Sequence, residues 1–537
     1  MTQIGRSAHV DTFTRENLPP REQWPELLFK LPELVYSPAL NCAAELLDRQ
    51  VEAGRGDQRC VVTDDETWTY RDLLEKSNQV AHALVDEMGL VPGNRVLLRG
   101  PNNPWLVAAW FGVVRAGGVA VATMPLLRKG ELETVIEIAD VTMAICDHRF
   151  RQDLHDAAPV GFQIFTYGTT EDDELDRVAA RKKTKFKNVA TAADDVCMLA
   201  FTSGTTGKPK ATMHFHRDVL AIADTFSRHV LQPTPNDLFI ASPPLAFTFG
   251  LGQSVVFPLR AGAATFLIEQ PSPARMLEAI ERHGITVLAT APTAYRAMVP
   301  DLKGARLGSL RACVSAGETL PKATWDAVHD ASGIRIIDGI GSTEMLHIFI
   351  SAAGKDIKPG STGRAVPGYV AEVQDPDGRS VADGELGRLA VKGPTGCRYL
   401  RGDRQTTYVR NGWNVTGDVY VRDSDGYFYY QARADDMIIS SGYNIAGPEV
   451  EEALLRHPAV AECAVVGAPD EERGMIVKAV VVLQPGAALG DEPEKTLQDF
   501  VKSQIAPYKY PRAIEFAEAL PRTATGKLQR FRLRESS

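Results

Sequence analysis

Along the chain, apolar positions recur with two periods, and their alternation outlines a layered molecule. From Thr69 to Met88, Tyr70, Leu73, Leu74, Val80, Ala81, Leu84 and Val85 fall at helical spacing. Thr69, three residues before Asp72, supplies an N-terminal cap, so the pattern predicts an amphipathic helix. A short apolar run, Arg95–Arg99, predicts a strand; Trp105 to Val114 reads as a helix and Gly118 to Ala122 as a buried strand. The same rhythm continues through Met143–Cys146, then helix 277–283 with strand 287–289, then helix 324–331 with strand 334–337. Repeated strand–helix–strand units imply a layered α/β architecture.

The character changes near residue 435. Helix Pro448 to Arg456 opens with proline in its first turn; 460–466 and 476–483 read as strands and 496–505 as a helix. The expected organisation is a large multi-layer N-terminal domain, residues 1–434, and a small mobile α+β C-terminal domain, residues 435–537. The stretch from Gly168 to Lys187 is polar and charge-rich and reads as an exposed excursion.

A chain of 537 residues with 44% apolar and 24% charged residues can bury more than one core. The net charge of −9 is spread along the sequence without a basic block, which excludes a nucleic-acid surface. Seven cysteines are scattered without a CxxC pair or zinc-type spacing and read as buried, reduced thiols. No secretory leader, membrane span or C-terminal Ser-Lys-Leu is found, and a cytoplasmic location is the expectation. His214 and His216 alternate as on a strand with no third ligand nearby in sequence, and read as packed or capping histidines.

The densest chemistry lies in Thr202-Ser203-Gly204-Thr205-Thr206-Gly207-Lys208. Its two glycines let backbone amides approach an anion, while four hydroxyls and a lysine can donate to phosphate oxygens, so it is suited to a triphosphate. It is not a Walker A loop: the glycines are three apart, and Lys208 is followed by Pro209 rather than a metal-binding hydroxyl.

This loop resembles the signature of the adenylate-forming superfamily, which includes the acyl- and aryl-CoA synthetases. The resemblance continues in order through Pro244–Leu251, Ser315–Glu318, Gly339–Glu344, Gly384–Arg388, Thr416–Asp418, Arg433–Asp435 and Pro521–Lys527. It implies an AMP-forming acid–thiol ligase using ATP, Mg²⁺ and coenzyme A. Lys527 and Thr343 are then catalytic, working on the α-phosphate, and Glu344 is both catalytic and the Mg²⁺ ligand. Ala316, Gly317, Glu318, Gly339, Ile340, Gly341 and Ser342 line the nucleotide, Asp418 and Arg433 hold its ribose, and Gly442 leaves room for the pantetheine arm. Asp435 is the implied hinge on which the small domain turns between half-reactions.

Relatives that activate amino acids carry an aspartate in the aromatic motif, whereas Ala246-Phe247-Thr248-Phe249-Gly250 has none, implying an acid without an α-amine. Ile340 replaces the usual tyrosine, and the run Asp338 to His347 resembles the benzoate and 2-aminobenzoate CoA-ligase branch. Phe247, Thr248, Phe249, His347 and Ile348 are the implied acid-binding residues. An aromatic or bulky cyclic acid fits this branch; the small residues Thr248, Ala294, Ala316, Gly317 and Gly341 leave a larger polycyclic or terpenoid acid open. A carrier protein is the alternative thiol acceptor, and a homodimer is a habit of the family.

Overall fold

The computed structural model describes residues 6–169, 171, 174–203, 209–402, 404–434, 436–440, 443–470, 473–487, 489–523 and 528–535. Among them, two large sheets dominate. The six-stranded sheet runs Gln163–Tyr167, Met143–Asp147, Arg95–Arg99, Val119–Thr123, Val196–Ser203, Pro209–Phe215, parallel except for its last pair. The nine-stranded sheet has a parallel centre formed by Arg59–Val62, Ala264–Phe266, Leu238–Ala241, Val287–Thr290, Ala312–Ser315 and Ile337–Gly341, with antiparallel strands at both ends. Strands covered on both faces need continuous apolar runs, and Arg95–Arg99, Met143–Asp147 and Val287–Thr290 are buried throughout.

The first predicted helix spans Tyr70–Met88. Thr69 Oγ1 accepts from the Asp72 amide at 3.1 Å, and the Asp72 carboxylate accepts from the Thr69 amide at 2.8 Å, a reciprocal cap. Its buried face, including Leu73, Val80 and Leu84, packs on helix Pro104–Arg115, where a side chain at Gly112 would collide with Val80.

Two expectations are corrected. The stretch read as an exposed excursion contains helix Leu175–Ala180, whose Leu175 and Ala179 are fully buried and which packs on helix Tyr70–Met88. The strand expected at 334–337 is instead Ile337–Gly341: only Ile337 belongs to both, and the chain enters the sheet where Val314 and Ser315 pair with Ile337 and Asp338.

A five-stranded sheet, Val370–Gln374, Leu386–Lys392, Trp413–Arg422 and Val409–Arg410 with Phe428–Arg433 joined to the third, completes the large part. From Ile438 onward the chain has a core of its own: Ile438, Ile445, Val450, Leu454, Val477, Val481, Leu497 and Val501 pack together. Helices Gly447–Leu455 and Pro493–Gln504 cover a sheet of Val460–Asp470, Gly474–Leu483 and Ala513–Phe516. The fold is therefore α/β, with a large multi-layer N-terminal domain and a small α+β C-terminal domain. No helix of the described residues is long and apolar enough to cross a membrane.

Candidate active site

Open parallel sheets present ligands at the carboxyl ends of their strands, because there the loops diverge and leave a crevice. The motifs at 202–208, 244–251, 315–318 and 339–344 lie at or just after such ends in the two sheets. Strand Val196–Ser203 of the six-stranded sheet leads into the phosphate loop and returns as Pro209–Phe215, with Thr202 opposite Lys210 and Ser203 opposite Pro209. Gly204, Thr205, Thr206, Gly207 and Lys208 lie outside the described residues, as do Asp435, Gly442 and Lys527.

In the nine-stranded sheet, strand Ala312–Ser315 delivers Ala316, Gly317 and Glu318. Gly317 has φ +89°, a conformation that disfavours any side chain. Glu318 accepts a hydrogen bond from Thr293 and pairs with Arg522 of the small domain at 3.5 Å. The next strand carries Gly339, Ile340 and Gly341 and pairs with Ile348–Ser351, with a bulge between Ile340 and Gly341. A Cβ on Gly341 would lie 2.6 Å from the His347 carbonyl oxygen, so glycine is required for the hairpin to close.

That hairpin presents Ser342, Thr343 and Glu344 in its turn. Leu346, φ +69°, sits in the left-handed region, a strained conformation for leucine that reverses the chain and sends His347 inward. Glu344 is half-buried; its Oε1 accepts from the Tyr399 hydroxyl at 2.6 Å, and among the described residues Oε2 accepts no hydrogen bond. A hard oxygen held in place at the mouth of the crevice fits a Mg²⁺ ligand. Lys210 lies near enough that the Glu344 carboxylate supports its charge, against burial and Arg404, which together lower its pKa.

Asp418 and Arg433 come from adjacent strands and stand directly opposite in register, Arg433 Nη1 donating to Asp418 Oδ1 at 3.3 Å. Burial raises the Asp418 carboxyl, and Arg433 offsets part of that rise.

His347 is 2% exposed and ringed by Phe257, Phe226 and Phe249 at centroid distances of 4.5, 5.5 and 5.6 Å. Burial pushes its pKa down to about 3, so it is a neutral imidazole at physiological pH. The Phe249 backbone acts weakly the other way, but neither ring nitrogen has a well-directed partner among the described residues. Phe247 precedes the short helix Thr248–Leu251, and Thr248 and Phe249 are half-buried in it. Ile348, unlike the half-buried Phe247, Thr248 and Phe249, is buried in the main core, its side chain directed at Gly339.

Sequence reading passed over Tyr399, Tyr408 and Asp338. Tyr408 faces Ser342, hydroxyl to hydroxyl at 3.2 Å. Burial lifts the Asp338 carboxyl to about 8, opposed by the Gly339 amide and the Ser315 hydroxyl, so it is mostly protonated at neutral pH and can donate as well as accept. Asp338 could have been suspected as an acid within an apolar strand; the tyrosines carry no local signal.

The fold also assembles what sequence spacing hides. Cys42, Cys197 and His216, all buried, place ligand atoms within 4.8 Å of one another. Burial works to raise the Cys42 thiol, but Cys197 and His216 outweigh it and hold it below the usual thiol range. His216 Nδ1 already accepts from the Cys42 amide at 3.1 Å, which commits the lone pair a metal would need. His214 is packed, its Nε2 3.0 Å from Thr212 Oγ1.

Comparison with known proteins accounts for this arrangement. Residues 47–399 match the AMP-binding enzyme family and residues 449–527 the AMP-binding enzyme C-terminal domain. The benzoate–CoA ligase of Thauera aromatica is 36% identical over 505 residues, 92% of this chain and 96% of that protein. The 3-hydroxybenzoate–CoA ligase of Aromatoleum sp. (strain CIB) is 32% identical over 508 residues, 93% of this chain and 97% of that one. The crystal structure of the anthranilate CoA ligase AuaEII in complex with anthranoyl-AMP superposes with TM-score 0.89 at 33% identity, covering 94% of this chain and 99% of that one. With its strand-end motifs, its two domains and both family matches in agreement, the chain belongs to the AMP-binding, adenylate-forming enzymes.

Proposed function

We propose that this protein is an ATP-dependent acid–CoA ligase for an aromatic carboxylic acid. In the first half-reaction the carboxylate oxygen attacks the α-phosphorus of ATP, giving acyl-AMP and pyrophosphate. In the second, the CoA thiolate attacks the acyl carbon and AMP leaves. The observation that carries the reading is the grouping of the anchored Glu344 with Lys210, on the strand that follows the phosphate loop, and with the Asp418–Arg433 pair of the five-stranded sheet, near enough for the Glu344 charge to act on both Lys210 and Asp418.

Each residue does what its chemistry allows. The phosphate loop, Thr202 to Lys208, neutralises the departing pyrophosphate; Thr343 donates to the α-phosphate; Asp418 accepts from the ribose hydroxyls while Arg433 donates to the same sugar. Ala316 to Glu318 and Gly339 to Ser342 line the nucleotide. Glu344 would hold Mg²⁺, which when bound neutralises phosphate charge. Lys527 bridges carboxylate and α-phosphate during adenylation, its flexible ammonium following the charge.

The wall around Phe249 and His347 is aromatic and, with His347 neutral, carries no charge to pair with an α-amine. Together with relatives named for benzoate, 3-hydroxybenzoate and anthranilate, this supports an aromatic acid. For the second half-reaction the domain 435–537 turns about Asp435 relative to 1–434, withdrawing Lys527 and bringing Gly442 to the thiol channel; the independent core beginning at Ile438 supports a unit able to move as one body.

The test is pyrophosphate release across aryl, alicyclic, fatty and polycyclic acids, with CoA or a holo-carrier protein as acceptor. An aryl acid with CoA should rank first; activity confined to fatty acids or to the carrier would refute the reading. Lys527→Ala should cut adenylation by about 100-fold or more while thioester formation from supplied acyl-AMP stays within a few-fold, as loss of a transition-state charge contact requires. Equal losses in both steps would remove Lys527 from its assigned role.

A further inference from the structure

The turn that bears Glu344 is braced from beneath by a segment to which the reaction gives no part. Tyr399 donates its hydroxyl to Glu344 Oε1 at 2.6 Å, and Tyr408 meets Ser342 at 3.2 Å. The two rings contact edge to face, centroids 6.0 Å apart and planes at 78°.

The segment is fixed in its turn. The Met213 amide donates to the Arg398 carbonyl at 2.8 Å and the Leu400 amide to the Ala211 carbonyl at 2.9 Å, registering residues 398–400 on strand Pro209–Phe215. Arg398 and Asp218, both without solvent exposure, form an ion pair under it. Gln405 Oε1 accepts from the Tyr399 amide at 3.0 Å, and its Nε2 donates to the Cys397 carbonyl at 3.0 Å. Tyr399 therefore reaches Glu344 from a backbone hydrogen-bonded to the strand that closes the phosphate loop and carries Lys210.

We infer that Tyr399 is a positioning residue: by holding Oε1 it fixes the Glu344 rotamer, in register with strand Pro209–Phe215, and leaves Oε2 as the oxygen that would take the Mg²⁺ of MgATP. The inference rests on the reading of Glu344 as the Mg²⁺ ligand. Without the phenol the carboxylate regains its rotamers, and ion binding must order it anew.

Pyrophosphate exchange measured against Mg²⁺ concentration tests this in the full-length protein. Tyr399→Phe should raise the Mg²⁺ needed for half-maximal exchange by about ten-fold, the worth of a hydrogen bond to a charged group, and leave thioester formation from supplied acyl-AMP within about two-fold. Placed on Glu344→Gln, the same substitution should add little, because the two residues act as one unit. If Glu344→Gln leaves the Mg²⁺ requirement unchanged, the ligand role of Glu344 fails; if Glu344→Gln raises it and Tyr399→Phe does not, the positioning role fails. A Tyr399→Phe protein that loses both half-reactions alike, or whose effect adds fully to that of Glu344→Gln, also overturns the inference. Should Tyr399→Phe fold poorly by its unfolding midpoint, Tyr399→His, which keeps a ring donor, takes its place: it should hold the Mg²⁺ requirement nearer the parent than Tyr399→Leu does, and the reverse order counts against the role.

Discussion

His347 and His214 show how a single buried side chain can set a property of the whole protein. Both are held neutral by burial, with pKa values lowered to about 3. An unfolded chain protonates its histidines near pH 6.5, whereas these stay neutral until far lower pH, so between those limits the unfolded state binds more protons. Stability should therefore fall as pH drops below about 6.5 and gain nothing from these rings above about pH 7.5, with a slope up to about 1.4 kcal/mol per pH unit for each ring. Urea unfolding at pH 5 and pH 7 measures it, and His347→Gln should flatten the dependence; an unchanged slope would show that another group carries it. Asp418 and Arg433, fifteen positions apart and both singled out by their motifs, stand opposite each other in register. Tyr399 and Tyr408 were not legible in the sequence, because each meets its partner across more than fifty residues of chain, 55 and 66 positions away, and a lone tyrosine advertises no such contact.

At the scale of elements, legibility followed the strength of the local signal. Helix Tyr70–Met88 announced itself through a long apolar stripe and a cap, both present in the structure. Thr69→Ala should remove the hydroxyl half of that cap and cost about 1 kcal/mol, read as a lower denaturant midpoint with unchanged m-value. A loss below a few tenths of a kcal/mol would mean the Asp72 half suffices. Helix Leu175–Ala180 escaped notice because two buried side chains in a charge-rich stretch make no period. The strand Ile337–Gly341 was misplaced for a different reason: the apolar run ends at Ile337, while the pairing continues through Asp338, Gly339 and Gly341, whose polarity or small size argues against a strand. Gly339 and Gly341 are positions where the neighbouring strand comes too close for a side chain.

At the scale of the molecule, the division into a large α/β part and a small α+β part was readable from the change of rhythm near residue 435, since each builds a separate core. How the two touch was not readable: the Arg522–Glu318 contact ties the small domain to the nucleotide motif through a pair whose charges are partly exposed, worth less than about 1 kcal/mol.

The seven free cysteines give the chain a record of its own opening. Six are buried in the large domain, and Cys463, the single one in the small domain, is half-buried with its thiol directed at the Glu451 carbonyl. Thiols reach an aqueous reagent only when the structure around them lets go. Native protein pulsed with a thiol-reactive dye across a urea series should thus label Cys463 and the other six in two separable steps if the small domain unfolds by itself, and in one if the cores are coupled. Peptide mapping of the label would time the two domains against each other in an unmodified chain, with no probe introduced.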